Sequence, residues 1–202
     1  MRLNAARLLV PLLAVAVGAA GCGNDAAESP VVRIGADAPV KRVEFPRLGI
    51  ELTVPKEAPL ERRARPGVFR LFLGEPFISM FAYAREEQIP RKAGQLKAAR
   101  RRLVKEVEGR GREFELRSSK LTEVDGAKAV ELVGDQTIMR ARLRTRSVHV
   151  YKRKAEYVIE LLAPGRDFAR IEREVFGPML SSLSLSGEVK PARKRKRKKR
   201  RG

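Results

Sequence analysis

The sequence predicts an α+β domain, with helices packed on an antiparallel sheet. Three observations lead there. Most of residues 41–187 falls into short runs that alternate apolar and polar side chains, the period of a strand. Consecutive runs are joined by tight-turn signals, of which Asp125-Gly126 is the strongest. Only two segments, within 89–111 and 167–179, change to a three- and four-residue period. Strands, helix, several strands, helix is the order expected when helices cover an antiparallel sheet.

Each element follows from its own residues. "KRVEF-PRLG-IELTVP" reads as two short strands around a Pro/Gly turn, the second ended by Pro55. "GVFRLFLG" is the next strand. In "EPFISMFAYAR", Phe77, Ser79, Phe81 and Tyr83 alternate with Ile78, Met80, Ala82 and Ala84. Apolar residues on both faces predict a central strand covered on both sides. Leu96, Ala99, Leu103 and Val107 then mark an amphipathic helix closed by Gly109, with Lys97, Arg100, Arg101 and Arg102 on its solvated face. "FELRSSKLTEV", the Asp125-Gly126 turn and "AKAVELVG" form a hairpin. "KRKA" is a second hairpin tip before "EYVIELLAP". Asp167 is expected to cap a last helix carrying Phe168, Ile171, Val175, Phe176 and Met179, and Gly177-Pro178 to kink or end it. "LSSLSLSG" finishes the domain.

The ends of the chain carry different signals. Residues 1–21 read as a secretory signal peptide: Arg2 and Arg7, an apolar run from Leu8 to Ala20, then small residues. That run is shorter than the roughly 20 residues needed to span a bilayer. Residues 22–40 read as a flexible linker, residues 41–187 as one globular domain and residues 188–202 as a disordered polybasic tail. The formal charge of +20 is uneven: two cations stand in the signal segment and ten in residues 190–202. The intervening domain is only moderately basic.

"AAGC" at residues 19–22, holding the only cysteine of the chain, resembles the lipobox of bacterial lipoproteins. Ala19 stands where leucine is commonest. The resemblance implies a diacylglyceryl group on Cys22, palmitate among the attached lipid, and a mature chain that begins there. Two or more acyl chains anchor stably, where one binds only marginally. The alternative is ordinary cleavage after Ala16 or Ala19, which leaves Cys22 as a free thiol.

The most distinctive internal stretch is "IMRARLRTRSVHV", with Arg140, Arg142, Arg144 and Arg146 at every second position. On a strand these share one face, about 6.6 Å apart. The face is either solvated and neutralised by Glu156 and Glu160 of the following strand, or an anion-binding surface of forked donors. A second candidate anion site is the tail, through Lys194, Arg195, Lys196, Arg197, Lys198, Lys199, Arg200 and Arg201. His149, the only histidine, has Ser147 two residues away on the same face, but no nucleophile elbow surrounds it. It reads as a half-exposed strand histidine. The sequence offers no catalytic set, metal cluster or phosphate loop, so no cofactor and no metal are expected.

"GIELTVP", the mid-chain helix, "VDGAKAVELVG", "RSVHVYKRKAEYVIELLAP" and "FARIEREVFGPMLSSLSL" together resemble the Mog/PsbP-like family over about residues 44–185. The resemblance implies an α/β/α sandwich, a binding or scaffolding role, and no shared catalytic residues. The expectation is therefore a non-enzymatic lipoprotein of the cell envelope, on the outer face of the cytoplasmic membrane. Its expected partners are the membrane, anionic lipid or wall polymer, and an envelope protein. The alternative is a polyanion-binding protein acting through the tail and the arginine strand, and an enzyme with an unrecognised site comes third. Export argues against nucleic acid as partner.

Overall fold

A computed structural model describes residues 32–189 apart from Arg33, Ala36, Met139 and the side chain of Arg112. The signal segment, Cys22 and the basic tail lie outside the described residues. The chain builds a seven-stranded antiparallel sheet in the order β3-β4-β5-β9-β8-β7-β6. The strands are β3 Leu60–Arg62, β4 Gly67–Phe72, β5 Phe77–Ala84, β6 Phe114–Val124, β7 Ala127–Ile138, β8 Ala141–Lys152 and β9 Ala155–Pro164. A smaller sheet joins β1 Val40–Phe45, β2 Ile50–Pro55 and β10 Ser184–Leu185.

The turns expected from the sequence set the register. Asp125 and Gly126 both take positive φ, 50° and 66°, and so do Arg153 and Lys154, 49° and 58°. These are the two-residue turns whose twist matches flanking strands. Each aligns a long hairpin, Val124 opposite Ala127 and Lys152 opposite Ala155.

Helix α1, Ala93–Glu108, lies on one face of the large sheet, over β6 and β7. Its buried residues are the four expected, Leu96, Ala99, Leu103 and Val107, packed with Phe114, Val130, Leu132 and Tyr151. Burying a Leu or Val side chain contributes roughly 1.5–3 kcal/mol. On the opposite face lie the small sheet and a final helical stretch, and the main core fills the space between. That stretch is α2, Gly165–Ile171, a π turn at Glu172–Phe176, and α3, Gly177–Ser181. The architecture is thus the α+β sandwich expected, with the small sheet added to one helical layer.

Three details differ from expectation. Asp167 does not cap α2: it sits inside the first turn, where its carboxylate favours the helix dipole and pairs with Arg170 and Arg166. The break expected at Gly177-Pro178 begins one turn earlier, because Gly177 N–H bonds Glu172 O, five residues back, and Pro178 has no N–H to continue the ladder. β5 is an interior strand as expected, between β4 and β9, but its covering differs. β5 is covered on one side only: Ile78 and Met80 are fully buried, whereas Phe77, Phe81 and Tyr83 are half-buried on the side where α1 does not reach.

Candidate functional site

The arginine strand comes first. Arg142, Arg144 and Arg146 do share a face of β8, but Arg140 is not on it. It occupies the turn between β7 and β8 with φ 70°. The shared face is also not the outer one. Arg146 is followed on the same face by Val148 and Val150, both fully buried in the main core. The arginines are the frayed end of a core-facing row and lean on the last helices, with Arg144 over the ring of Phe168 and Arg146 over that of Phe176.

Their acid partners are not Glu156 and Glu160. Antiparallel register places Glu160 opposite Ser147 and Glu156 opposite Tyr151, on the other face of the sheet. The neutralising carboxylates come from β6, β7 and the π turn. Arg142 donates to Glu115. Arg144 Nε donates to Asp135 Oδ1 at 2.9 Å, and Arg117 Nε to Asp135 Oδ2 at 2.8 Å. Arg117 reaches that far because it occupies the register shift between Leu116 and Ser118, where a bulge redirects a side chain. Burial pushes the Asp135 carboxyl up, but the hydrogen bonds from Arg117 and Arg144 outweigh it and hold it below the usual carboxylate range. Arg146 spans two acids, Glu131 at 2.7 Å and Glu172 at 2.6 Å.

A second polar constellation lies on the α1 side of β8 and β9. His149 is only 13% exposed, so it is not the half-exposed histidine expected. Its Nδ1 stands 2.7 Å from Glu156 Oε1 and its Nε2 2.9 Å from Ser147 Oγ. With Nδ1 protonated toward Glu156, Nε2 accepts from the Ser147 hydroxyl. The other Glu156 oxygen accepts from Arg85. Burial and the nearby Arg85, Arg110 and Arg102 push the His149 pKa down to about 3. Next to it, burial pushes the Glu160 carboxyl up, against the pull of Arg110. Thr145 Oγ1 on the same face is buried without a hydrogen-bond partner among the described residues.

The connectivity Ser147–His149–Glu156 is that of a nucleophile, a base and an orienting acid. The sequence showed Ser147 and His149 two apart on one face, but Glu156 joins them only through the β8–β9 hairpin. What surrounds them differs from an acyl-transfer site. Ser147 sits mid-strand, paired to Leu132 on one side and Glu160 on the other. Backbone N–H groups that would hold an oxyanion are engaged in those ladders. The acid, moreover, shares its charge with Arg85.

The third feature is the free positive charge. Arg91, Lys92, Lys97, Arg101 and Lys105, on and just before α1, are exposed and have no carboxylate partner among the described residues. The exposed hairpin tip Arg153-Lys154 borders a cleft of about 170 Å³, also lined by Arg85 and Val189. Val189 is the last described residue.

No protein-family model matches the chain, and no curated protein matches it. Solved structures do. The chain is similar to the cyanobacterial PsbP protein, CyanoP, of Synechocystis sp. PCC 6803, with a TM-score of 0.54 and 14% identity, over 78% of this chain and 100% of that one. PA94 of Pseudomonas aeruginosa, a protein of unknown function, aligns with a TM-score of 0.49 and 14% identity over 73% of this chain and 97% of that one. LpqN, involved in cell envelope biogenesis in Mycobacterium tuberculosis, aligns with a TM-score of 0.48 and 14% identity over 76% and 88%. The fold of the described domain is PsbP-like.

Proposed function

We propose that the protein is an exported lipoprotein whose PsbP-like domain acts by binding, as an accessory component of the cell envelope, and not by catalysis. The observation that carries the non-catalytic reading is the position of Ser147. The serine of this triad-like chain lies inside a strand paired on both sides, so the backbone of its own strand is engaged in the sheet ladders and not turned toward a reacting oxygen. The Ser147–His149–Glu156–Arg85 chain then serves to satisfy buried polar groups.

The membrane reading rests on the lipobox-like "AAGC" and on the segment before it. The tail adds a second, electrostatic anchor to anionic lipid or wall polymer. Val189, the last described residue before it, lines one cleft with Arg153 and Lys154. No helix among the described residues is long and apolar enough to cross a membrane.

Fractionation tests the anchor. Wild-type chain should sediment with membranes, and Cys22→Ala lacking residues 190–202 should be released. If that doubly altered chain stays embedded as firmly as wild type, the lipoprotein reading is wrong.

A further inference from the structure

We propose that α1 is the face with which the domain lies on an anionic lipid bilayer. The proposal rests on the reading that the protein works at a membrane. The sequence places the basic candidates on β8 and in the tail, yet β8 is neutralised by Glu115, Asp135, Glu131 and Glu172. Among the described residues, five exposed cations without a carboxylate partner lie together on α1 and just before it: Arg91, Lys92, Lys97, Arg101 and Lys105.

Helical geometry turns them outward together. Leu96, Ala99, Leu103 and Val107 bury one side of the helix, so Arg101 and Lys105 stand nearly opposite and Lys97 beside them. Lys97, Arg101 and Lys105 are four residues apart, about 6 Å along the axis. They form a straight row on a helix of 16 residues, about 24 Å long. Gly94 and Ala98, also outward, are too small to hold the row away from a flat surface, and the one acid on this side, Glu108, stands at the C-terminal end of the helix beyond Lys105. The apolar stripe is already packed against β6 and β7, so the contact is electrostatic, without insertion.

The row also continues an existing basic end. Ala84, at the end of β5, pairs with Ala155 beside the Arg153-Lys154 tip, and eight residues lead from there to α1 through Arg91 and Lys92. Val189, the hairpin tip and the helix start therefore share one end of the domain. The lipid can reach this side. Val32 and Ile34 pack on the opposite layer, but ten residues separate Cys22 from Val32 and extend up to about 35 Å. Two layer spacings of about 10 Å each separate the faces.

The test uses the full chain with Cys22→Ser and one reporter thiol, Ala98→Cys or Ser181→Cys, carrying a spin label. The apolar segment 8–20 brings the chain to any vesicle, so phosphatidylglycerol and phosphatidylcholine vesicles differ only in charge. The label at 98 should become shielded from an aqueous relaxant on phosphatidylglycerol and be re-exposed in high salt. It should stay accessible on phosphatidylcholine, and the label at 181, on α3, should stay accessible on both. Replacing Lys97, Arg101 and Lys105 by Gln should raise the lipid concentration for half-shielding on the order of 100-fold, about fivefold for each basic residue near an anionic surface. Lys128, Arg166 and Arg173, each held in an ion pair with Glu123, Glu75 or Glu174, supply a control of equal charge change. The proposal is overturned if 98 stays aqueous on phosphatidylglycerol, if 181 is shielded instead, or if the control triple has the same effect. Shielding by soluble polyphosphate but not by the vesicles would overturn it in favour of a wall polymer. The reporter chain has no thiol at 22, so these outcomes are independent of the fractionation that decides lipidation.

Discussion

His149 should make the fold acid-sensitive in a calculable way. Its pKa in the folded chain is held at about 3 by burial and by three arginines, against about 6.5 in an unfolded chain. The folded state therefore prefers neutral imidazole. Its contribution is fully present above the unfolded value and is lost as pH falls from about 6.5 toward 3. Between pH 7 and pH 5 the unfolded chain takes up its proton and the folded chain does not. At about 1.4 kcal/mol per pH unit over the roughly one and a half units below 6.5, the loss is about 2 kcal/mol. His149→Gln removes the titration while keeping an amide that can donate to Glu156 and accept from Ser147. Denaturant unfolding of both chains at pH 7, 6 and 5 gives the difference directly, since all other groups are shared. Wild type should lose about 2 kcal/mol more than the variant across that range. Parallel pH profiles would refute the neutral, buried histidine. A variant that folds normally but loses all biological activity would revive a catalytic role for the Ser147–His149–Glu156 chain.

The arginines of β8 should prove unequal: Arg146→Ala leaves Glu131, which is 4% exposed, with Lys120 at 3.2 Å as its remaining cation and should cost about 1–3 kcal/mol in chemical denaturation, while Arg142→Ala, an exposed pair, should cost under about 1 kcal/mol. Replacing both Arg146 and Glu131 by Met should recover most of that loss. Gly134→Ala should destabilise by about 1–3 kcal/mol in the same assay, because its Cβ would stand 2.5 Å from the Phe114 ring and 2.7 Å from Glu115 O. In flotation with anionic vesicles, deleting residues 190–202 should remove far more salt-sensitive binding than changing Arg142 and Arg144 to Gln, since those two side chains already hold carboxylates.

Local pattern reached a long way along this chain. The four buried positions of α1 were readable from their spacing, and both hairpin turns from their residue types, because helix period and positive-φ turns are local properties. Short β3 and two-residue β10 were not anticipated as strands, since three or two residues show no period. The covering of β5 was misjudged for a related reason. Alternating Phe77, Phe81 and Tyr83 looks the same whether a helix lies over them or not.

Fold class, the strand and helix order, and the apolar side of α1 are all legible in the chain's residues, for these follow from side-chain period and turn chemistry within a few positions. The same period shows that Arg142, Arg144 and Arg146 share a face and that Ser147 and His149 share the other. What each face meets depends on the folded arrangement of the strands. Whether a row of arginines is solvated or held depends on which strands pair with β8 and in what register. A one-residue choice of register puts Glu156 and Glu160 beside the arginines or behind them. In the folded chain they stand behind, where Glu156 closes a chain with His149 and Arg85, and the arginines take acids from β6, β7 and the π turn. On α1, by contrast, Lys97, Arg101 and Lys105 have no carboxylate partner among the described residues, because the buried stripe turns them away from the acids of the sheet.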